Sequence, residues 1–229
     1  MKKISVESQA DKAGRNNGNG IRDSFIRAGL DLFGECGLDG ASTRMLAKKA
    51  GANISGIVYY FGGKEGLYQA VLEHIAGRFN DLTSEVRQKA WKRLEEPLEK
   101  PEALSLIKDL LTALSGVMDD QKKVKNAEKI ILREQTSPTS SFALLYEGYM
   151  KDILSLLVNL ISRYTGQPGE SPGVVFRAHS LVGQVIAFIA TREALLKNLG
   201  LKRLGPEHSA MIHQVIMVNV EACLKAWAE

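Results

Sequence analysis

The chain has 229 residues, of which 45% are hydrophobic, and a chain of this size can bury a substantial core in one domain or in two smaller ones. Its net charge of +4 lies entirely in residues 1–64, which carry 10 basic and 6 acidic residues (10 − 6 = +4), whereas the remainder carries 30 − 10 = 20 basic and 26 − 6 = 20 acidic residues. This distribution suggests an anionic partner for the N-terminal part. Chance scatter of solvated lysines is the alternative.

Several classes of site have no support in the sequence. Cys36 and Cys223 stand outside any CxxC or Cys/His ligand spacing, and His208 and His213 point about 140° apart on a helix. No Gly-rich phosphate loop follows a strand, and no HExxH or GxSxG motif occurs. We therefore expect no catalytic residues, cofactor or metal.

The apolar runs and the N-terminus indicate where in the cell the protein is located. Runs such as Val185–Ala190 are shorter than a bilayer requires, and the first twenty residues lack the apolar core of a signal peptide. The sequence thus predicts a cytoplasmic protein with no membrane partner.

The first elements in chain order are an arm and a helix. Residues 1–20 are polar and rich in glycine and asparagine, which predicts a flexible arm. Apolar residues then recur at helical spacing from Ile21 to Cys36, and Gly37 followed by Gly40 ends that helix.

Two short helices follow. Ser42 or Thr43 caps the first, which ends at Gly51, and the second begins at Ile54. Neither helix can bury much alone. Together with the longer helix before them they predict a helix-turn-helix domain over residues 21–66.

The rest of the chain, residues 67–229, is predicted as long helices separated by proline and glycine breaks. No segment alternates for long with period two, so the fold class is all-α. Val174–Leu199 and Met211–Trp227 are each read as one helix, too apolar all round to face solvent.

The residues "AGLDLFGECGLDGASTRMLAKKAGANISGIVYYFGGKEGLY" resemble the DNA-binding domain of the TetR family of transcriptional regulators. The matching positions are Phe33, Gly37, Thr43, Ala47, Ala50, Gly51, Tyr59, Tyr60, Phe61, Lys64 and Leu67. The C-terminal part resembles the CecR subgroup through "REQTSPTS" at Arg133–Ser140 and through Ala178–Glu193.

This resemblance implies a recognition helix that enters the major groove of double-stranded DNA. Asn53, Ile54 and Ser55 would point toward base edges: Asn53 offers a donor and an acceptor, and Ile54 an apolar contact to a thymine methyl. Val58 stands where the family often has an aromatic residue, and Ser55 where glycine or alanine is frequent. Ile57 and Phe61 are predicted as core.

The resemblance also implies phosphate contacts from residues around the recognition helix. These are Thr43, Arg44, Tyr59, Tyr60 and Lys64. Alternatively, Tyr60 is a core aromatic residue whose hydroxyl forms a hydrogen bond inside the protein. Lys48 and Lys49 also belong to this basic region, and the alternative to a DNA contact is that they lie on a face exposed only to solvent.

For the C-terminal domain the resemblance implies an effector cavity between Lys64 and about Gly166, and a homodimer formed by the last two helices. The candidate polar groups are Arg133, His179 and Arg192, and the candidate apolar lining is Met118, Phe142, Tyr146 and Phe188. The alternatives are structural ion pairs for Arg133 and Glu134, with each other or with Arg192 and Glu193, and a hydrogen-bonded core histidine for His179.

The resemblance therefore implies a ligand-responsive transcriptional regulator with a helix-turn-helix domain and a helical ligand-binding and dimerisation domain. The resemblance implies repression at a palindromic operator and release by a small-molecule effector. An architectural or activating DNA-binding protein without such release is the alternative.

Overall fold

The computed structural model describes residues 8–116 and 121–228. Helices connected by short loops make up these residues, and no strand occurs among them, which confirms the all-α prediction. The chain forms two compact units. The first comprises residues up to Ile75 together with Lys125–Leu144, and the second comprises Ala76–Val124 and Leu145–Glu229. The predicted boundary at residue 66 stays a prediction.

The first unit is built on three packed helices, α1 (Ser8–Gly40), α2 (Thr43–Ala50) and α3 (Ser55–Phe61). Helix α1 packs against both α2 and α3, and these two also pack against each other. The fully buried side chains at the centre are Phe25, Phe33, Leu46, Ile57 and Leu67. Apolar residues at helical spacing thus bury one face of each helix, as the sequence pattern indicated.

Helix α1 differs in length from its hydrophobic pattern. The pattern starts at Ile21, whereas the helical backbone begins at Ser8. Polar residues and glycines have low helix propensity but do not forbid helical geometry. The hydrophobic pattern therefore could not reveal that the helix begins before Ile21. Residues 1–7 of the predicted arm lie outside the described residues, and the flexibility of the arm stays a prediction.

The chain leaves α3 through glycines and enters α4 (Lys64–Leu94), which runs from the first unit into the second. Gly62 and Gly63 have φ of 75° and 146°, a region that favours glycine. Helix α6 (Gln121–Thr136) and the first residues of α7 (Phe142–Leu145) complete the first unit.

The second unit contains the rest of α4 and a group of four mutually packed helices. These are α5 (Lys100–Gly116), α8 (Lys151–Thr165), α9 (Pro172–Ala190) and α11 (Pro206–Trp227), with the short α10 (Arg192–Leu199) following α9. Helix α8 packs on α5 and α9, and α11 packs on all three. Leu156, Leu157, Leu160 and Ile161 of α8 are fully buried at this centre.

Two long helical stretches of the chain are interrupted. A π-helical turn, Tyr146–Met150, separates α7 from α8, and Thr191, with φ −101° and ψ 15°, separates α9 from α10. The prediction of one helix over Val174–Leu199 is therefore wrong at Thr191. Hydrophobic periodicity continues across both interruptions, so it gave no signal of them.

Helix α9 is long and apolar enough to cross a membrane by length and composition, and 22% of it is buried. The same properties occur in helices of soluble proteins that are covered by other protein surfaces.

Candidate functional site

Helix α2 and the turn after it are fixed by local hydrogen bonds. The Ser42 hydroxyl accepts a hydrogen bond from the Met45 amide (3.2 Å), as an N-cap does. Gly51 ends α2 with φ 63°, and its amide donates to the carbonyls of Ala47 and Lys48. The side-chain oxygen of Asn53 then accepts hydrogen bonds from the Ser55 amide (3.0 Å) and the Ser55 hydroxyl (2.9 Å). The predicted helix-turn-helix is confirmed.

The inner face of α3 is held close to α1. A Cβ atom at Gly56 would lie 2.8 Å from Cε2 of Phe25, so the two helices approach more closely than any larger residue allows. Ile57 is fully buried. The ring of Phe61 meets that of Phe25 edge to face with 6.0 Å between centroids, and the Arg22 guanidinium lies 5.5 Å from the Phe61 centroid.

The opposite face of α3 is exposed. Ile54 is 44% exposed, Val58 66% and Tyr59 82%, and Asn53 and Ser55 are also exposed. A soluble protein leaves this much apolar surface on a seven-residue helix uncovered chiefly where another molecule binds.

The two tyrosines differ in environment. The rings of Tyr59 and Tyr60 meet edge to face, with 4.8 Å between centroids, and Tyr60 is half-buried beside Phe61. The Tyr59 hydroxyl makes no hydrogen bond within the described part of the chain. The Tyr60 hydroxyl makes none there either, so the two predicted phosphate contacts differ in exposure, and Tyr59 is the more exposed.

Helix α2, which packs against α3, carries exposed basic residues. Arg44 and Lys48 of α2 are exposed and form no ion pair with any described residue. Lys49 pairs with Asp31 (2.9 Å), and the hydrogen bond that its ammonium donates to this carboxylate raises the lysine's pKa. Thr43 is half-buried at the first residue of α2.

Lys64 begins α4 and is half-buried. Its Nζ donates a hydrogen bond to the Leu38 carbonyl (3.0 Å), near the end of α1. An ammonium has three donors, so two remain for another acceptor. The sequence alone gave no indication of the bond to Leu38.

Helix α6 is tied to the rest of the first unit by a buried carboxylate. Glu134 is 1% exposed and accepts hydrogen bonds from the Tyr68 hydroxyl (2.7 Å), the Thr139 amide (3.1 Å) and the Thr139 hydroxyl (2.9 Å). Burial, together with the bond to this carboxylate, raises the pKa of Tyr68 well above its usual range, so its hydroxyl stays a donor at neutral pH.

The neighbouring Arg133 has a different partner. Its guanidinium donates to the Phe33 carbonyl (2.7 Å) in α1. The alternative of an Arg133–Glu134 ion pair is therefore not what the structure shows, because the two side chains bind different groups.

The predicted effector residues are distributed over both units. Arg133 and Phe142 belong to the first, and Tyr146, His179, Phe188 and Arg192 belong to the second, while Met118 lies outside the described residues. Tyr146 lies in the π-helical turn, and His179 is exposed, unlike a core histidine. Their role in ligand binding stays a prediction.

Comparisons with known proteins agree with this geometry. Residues 25–71 match the tetR family of bacterial regulatory proteins, and residues 103–227 match the C-terminal domain of the HTH-type transcriptional dual regulator CecR. The chain is 29% identical to the HTH-type transcriptional dual regulator CecR of Shigella flexneri over 214 residues, which are 93% of this chain and 95% of that protein.

More distant similarities point the same way. The tetracycline repressor protein class D of Escherichia coli is 28% identical over 109 residues, 47% of this chain and 50% of that protein. The crystal structure of a TetR-like transcriptional regulator from Rhodococcus sp. RHA1 has a TM-score of 0.60 at 16% identity, covering 88% of this chain and 96% of that one, and shares the fold.

The CecR match alone spans more than half of the chain, and the tetR match coincides with the helix-turn-helix. The chain belongs to the TetR family of DNA-binding transcriptional regulators and carries a CecR-type C-terminal domain.

Proposed function

We propose that this regulator is a cytoplasmic homodimer that binds a palindromic operator, represses transcription by occluding it, and is released by a small-molecule effector. The observation that carries the proposal is the exposed outer face of α3, with Tyr59 82% exposed, on a helix whose inner face is packed against α1.

Base edges are read from the start of α3. The Asn53 oxygen is occupied by Ser55, which leaves its amide hydrogens to donate to acceptors in the major groove. Ile54 supplies an apolar contact, and the small Ser55 lets the helix backbone come close to the bases.

Phosphates are bound by groups on either side. Arg44 and Tyr59 are exposed, and Thr43, Tyr60 and Lys64 are half-buried beside them. Such contacts set the position of the protein on the duplex and give most of the salt-dependent affinity.

The dimer would form on α9 and α11. Met211, Val215 and Val218 recur at helical spacing on α11 and are 64%, 48% and 61% exposed, and Phe176 on α9 is 71% exposed. A symmetric pairing of these surfaces with a second copy would cover them. The relatives are transcriptional regulators, which favours a second copy over a membrane as the partner of α9.

Release by an effector would act along α4. This helix starts at Lys64 beside the recognition helix and continues into the second unit. A ligand that displaces its far end would shift the near end, provided that it binds the DNA-free conformation better by a coupling energy of about 1–3 kcal/mol. Arg133, His179 and Arg192 are the proposed polar contacts, and Met118, Phe142, Tyr146 and Phe188 the proposed apolar ones.

Activation at some promoters is the second candidate. This candidate is favoured because the Shigella flexneri relative, which is similar over 93% of this chain, is described as a dual regulator. Whether binding represses or activates depends on where the operator lies relative to the promoter, which the chain itself does not encode.

The test is a footprint of the purified protein on the DNA flanking its own gene, followed by titration of the protected duplex and of random duplex. Protection of a palindrome and a preference of at least about a thousandfold are expected. Equal affinities for the protected and the random duplex would contradict operator binding and would support an architectural DNA-binding role. A reporter placed behind the protected site then separates repression from activation.

A further inference from the structure

We propose that Val58 is a specificity-determining residue, which packs with Ile54 on thymine 5-methyl groups in each operator half-site. This inference rests on the proposed function and goes beyond it, because it states which chemical group of the operator is recognised. The helical surface formed by Ile54 and Val58 is called the apolar ridge below.

The apolar ridge follows from the helical geometry of α3. Ile54 has φ −56° and ψ −33°, so helical backbone begins with it, and Val58 lies four residues later on the same face. The two side chains are 44% and 66% exposed. Ser55 and Tyr59, also four residues apart, form the polar strip beside them.

The apolar ridge is not a displaced part of the core. Ile57 already fills the inner position and is fully buried, and Gly56 holds the helix against Phe25 with no room for a Cβ atom. Rotation of α3 that buried Val58 would have to remove both contacts. The outward direction of Val58 is therefore fixed by the packing of the opposite face.

The charge on α2, the helix that packs against α3, selects the occupant. Arg44 and Lys48, exposed and without an ion-pair partner among the described residues, favour a polyanion. On a polyanionic duplex the thymine methyl is the apolar group of the major groove. The β-branched Val58 presents its two methyl groups with restricted χ1 freedom, so little side-chain entropy is lost on contact.

The experiment removes one methyl group at a time from the DNA. Duplexes are first selected by the wild-type protein from a random library, and each thymine of the enriched half-site is then replaced by deoxyuridine, which lacks only the 5-methyl group. At one or two positions per half-site we expect affinity to fall about fourfold, the value of one buried methyl group.

The same titrations with Val58→Ala complete a double-mutant cycle. The variant should lose affinity for the thymine duplex and show no further loss with deoxyuridine at the position that Val58 reads. Leu82→Ala is the matched control, because Leu82 is an aliphatic residue of α4 in the second unit and is 52% exposed. This control should keep the full deoxyuridine penalty.

The outcomes separate this inference from the proposed function. An enriched operator whose deoxyuridine forms all bind like the thymine form would overturn the inference alone, as would a Val58→Ala variant that retains the whole penalty. A Val58→Ala variant altered in self-association but not in DNA affinity would also overturn it, since a second copy would then be the occupant. A library in which no sequence is enriched would overturn the proposed operator binding itself.

Discussion

Lys64 has one observed partner and one proposed partner. Its ammonium holds the Leu38 carbonyl at 3.0 Å, and its remaining donors are the ones proposed for a phosphate. We expect Lys64→Ala to weaken binding to operator and random duplex alike. If Lys64 contacts a phosphate and no base, as proposed, the slope of log affinity against log salt should flatten by the contribution of about one phosphate contact.

A matched control separates charge from position. Lys49→Ala removes a lysine that is already paired with Asp31, so the salt slope should change little. Thermal unfolding of Lys64→Ala should show a loss of about 0.5–1.5 kcal/mol for the bond to Leu38. If Lys64→Ala lost affinity for the operator only, its assignment as a phosphate contact would be wrong.

Gly56 lies where α3 and α1 approach too closely for a side chain. A Cβ atom there would lie 2.8 Å from the Phe25 ring, whereas one at Gly77 in α4 would meet nothing within 4 Å. We expect Gly56→Ala to lower the free energy of unfolding by about 1–3 kcal/mol through overpacking. Gly77→Ala should raise it by about 0.5–1 kcal/mol through helix propensity. Denaturant titration measures both, and stabilisation by Gly56→Ala would contradict the close approach of α3 to α1.

At the scale of the element, the Glu134 carboxylate holds α6 and the segment after it in the first unit. We expect Tyr68→Phe to cost about 1.5–3 kcal/mol of stability, because it deletes a donor to a buried carboxylate and leaves the ring in place. Tyr60→Phe is the control, since Tyr60 is half-buried and its hydroxyl has no bond to the described residues. Equal, small effects of the two substitutions would show that the Tyr68–Glu134 bond contributes little.

The elements differ in how far the sequence determines them. Helices α2 and α3 were predictable because a cap residue, a left-handed glycine and an apolar pattern coincide within a few residues, as at Ser42, Gly51 and Ile57. The π-helical turn Tyr146–Met150 was not predictable, because the apolar residues before and after it continue at helical spacing. Its Gly148 carbonyl accepts a hydrogen bond from Asn80 (2.6 Å), a partner far away in the chain.

The candidate site shows the same division. Exposure of Ile54 and Tyr59 followed from their places in a recognition helix, whereas the bond from Lys64 to Leu38 and the placement of Glu134 depend on residues distant in sequence. Periodicity reports which face of a helix is apolar, but it does not report which distant group a polar side chain will meet. In the sequence Val58 stands out only as a departure from the family pattern, although its spacing of four residues from Ile54 puts the two on one helical face.

At the scale of the whole molecule, the exposed apolar residues of α11 make the oligomeric state testable. Val218 is 61% exposed in the single chain and lies on the same face as Met211 and Val215. The wild-type protein should therefore sediment at about twice the 25.1 kDa of one chain at micromolar concentration. Val218→Glu should sediment at 25.1 kDa, because a twofold interface would bury the new carboxylate twice, near its own copy and without a cation.

The control and the DNA readout make this prediction specific to the interface. Leu82→Glu places the same charge on an exposed residue of α4 and should leave the dimer intact. Each 1.4 kcal/mol lost from association raises the dimer dissociation constant tenfold, so a penalty of several kcal/mol carries the equilibrium past micromolar concentration. Monomeric Val218→Glu should keep its helical circular dichroism and still bind a single half-site weakly, while losing the tight binding that two linked recognition helices give to a palindrome. A Val218→Glu protein that remained dimeric and bound the palindrome normally would place the dimer interface on another surface.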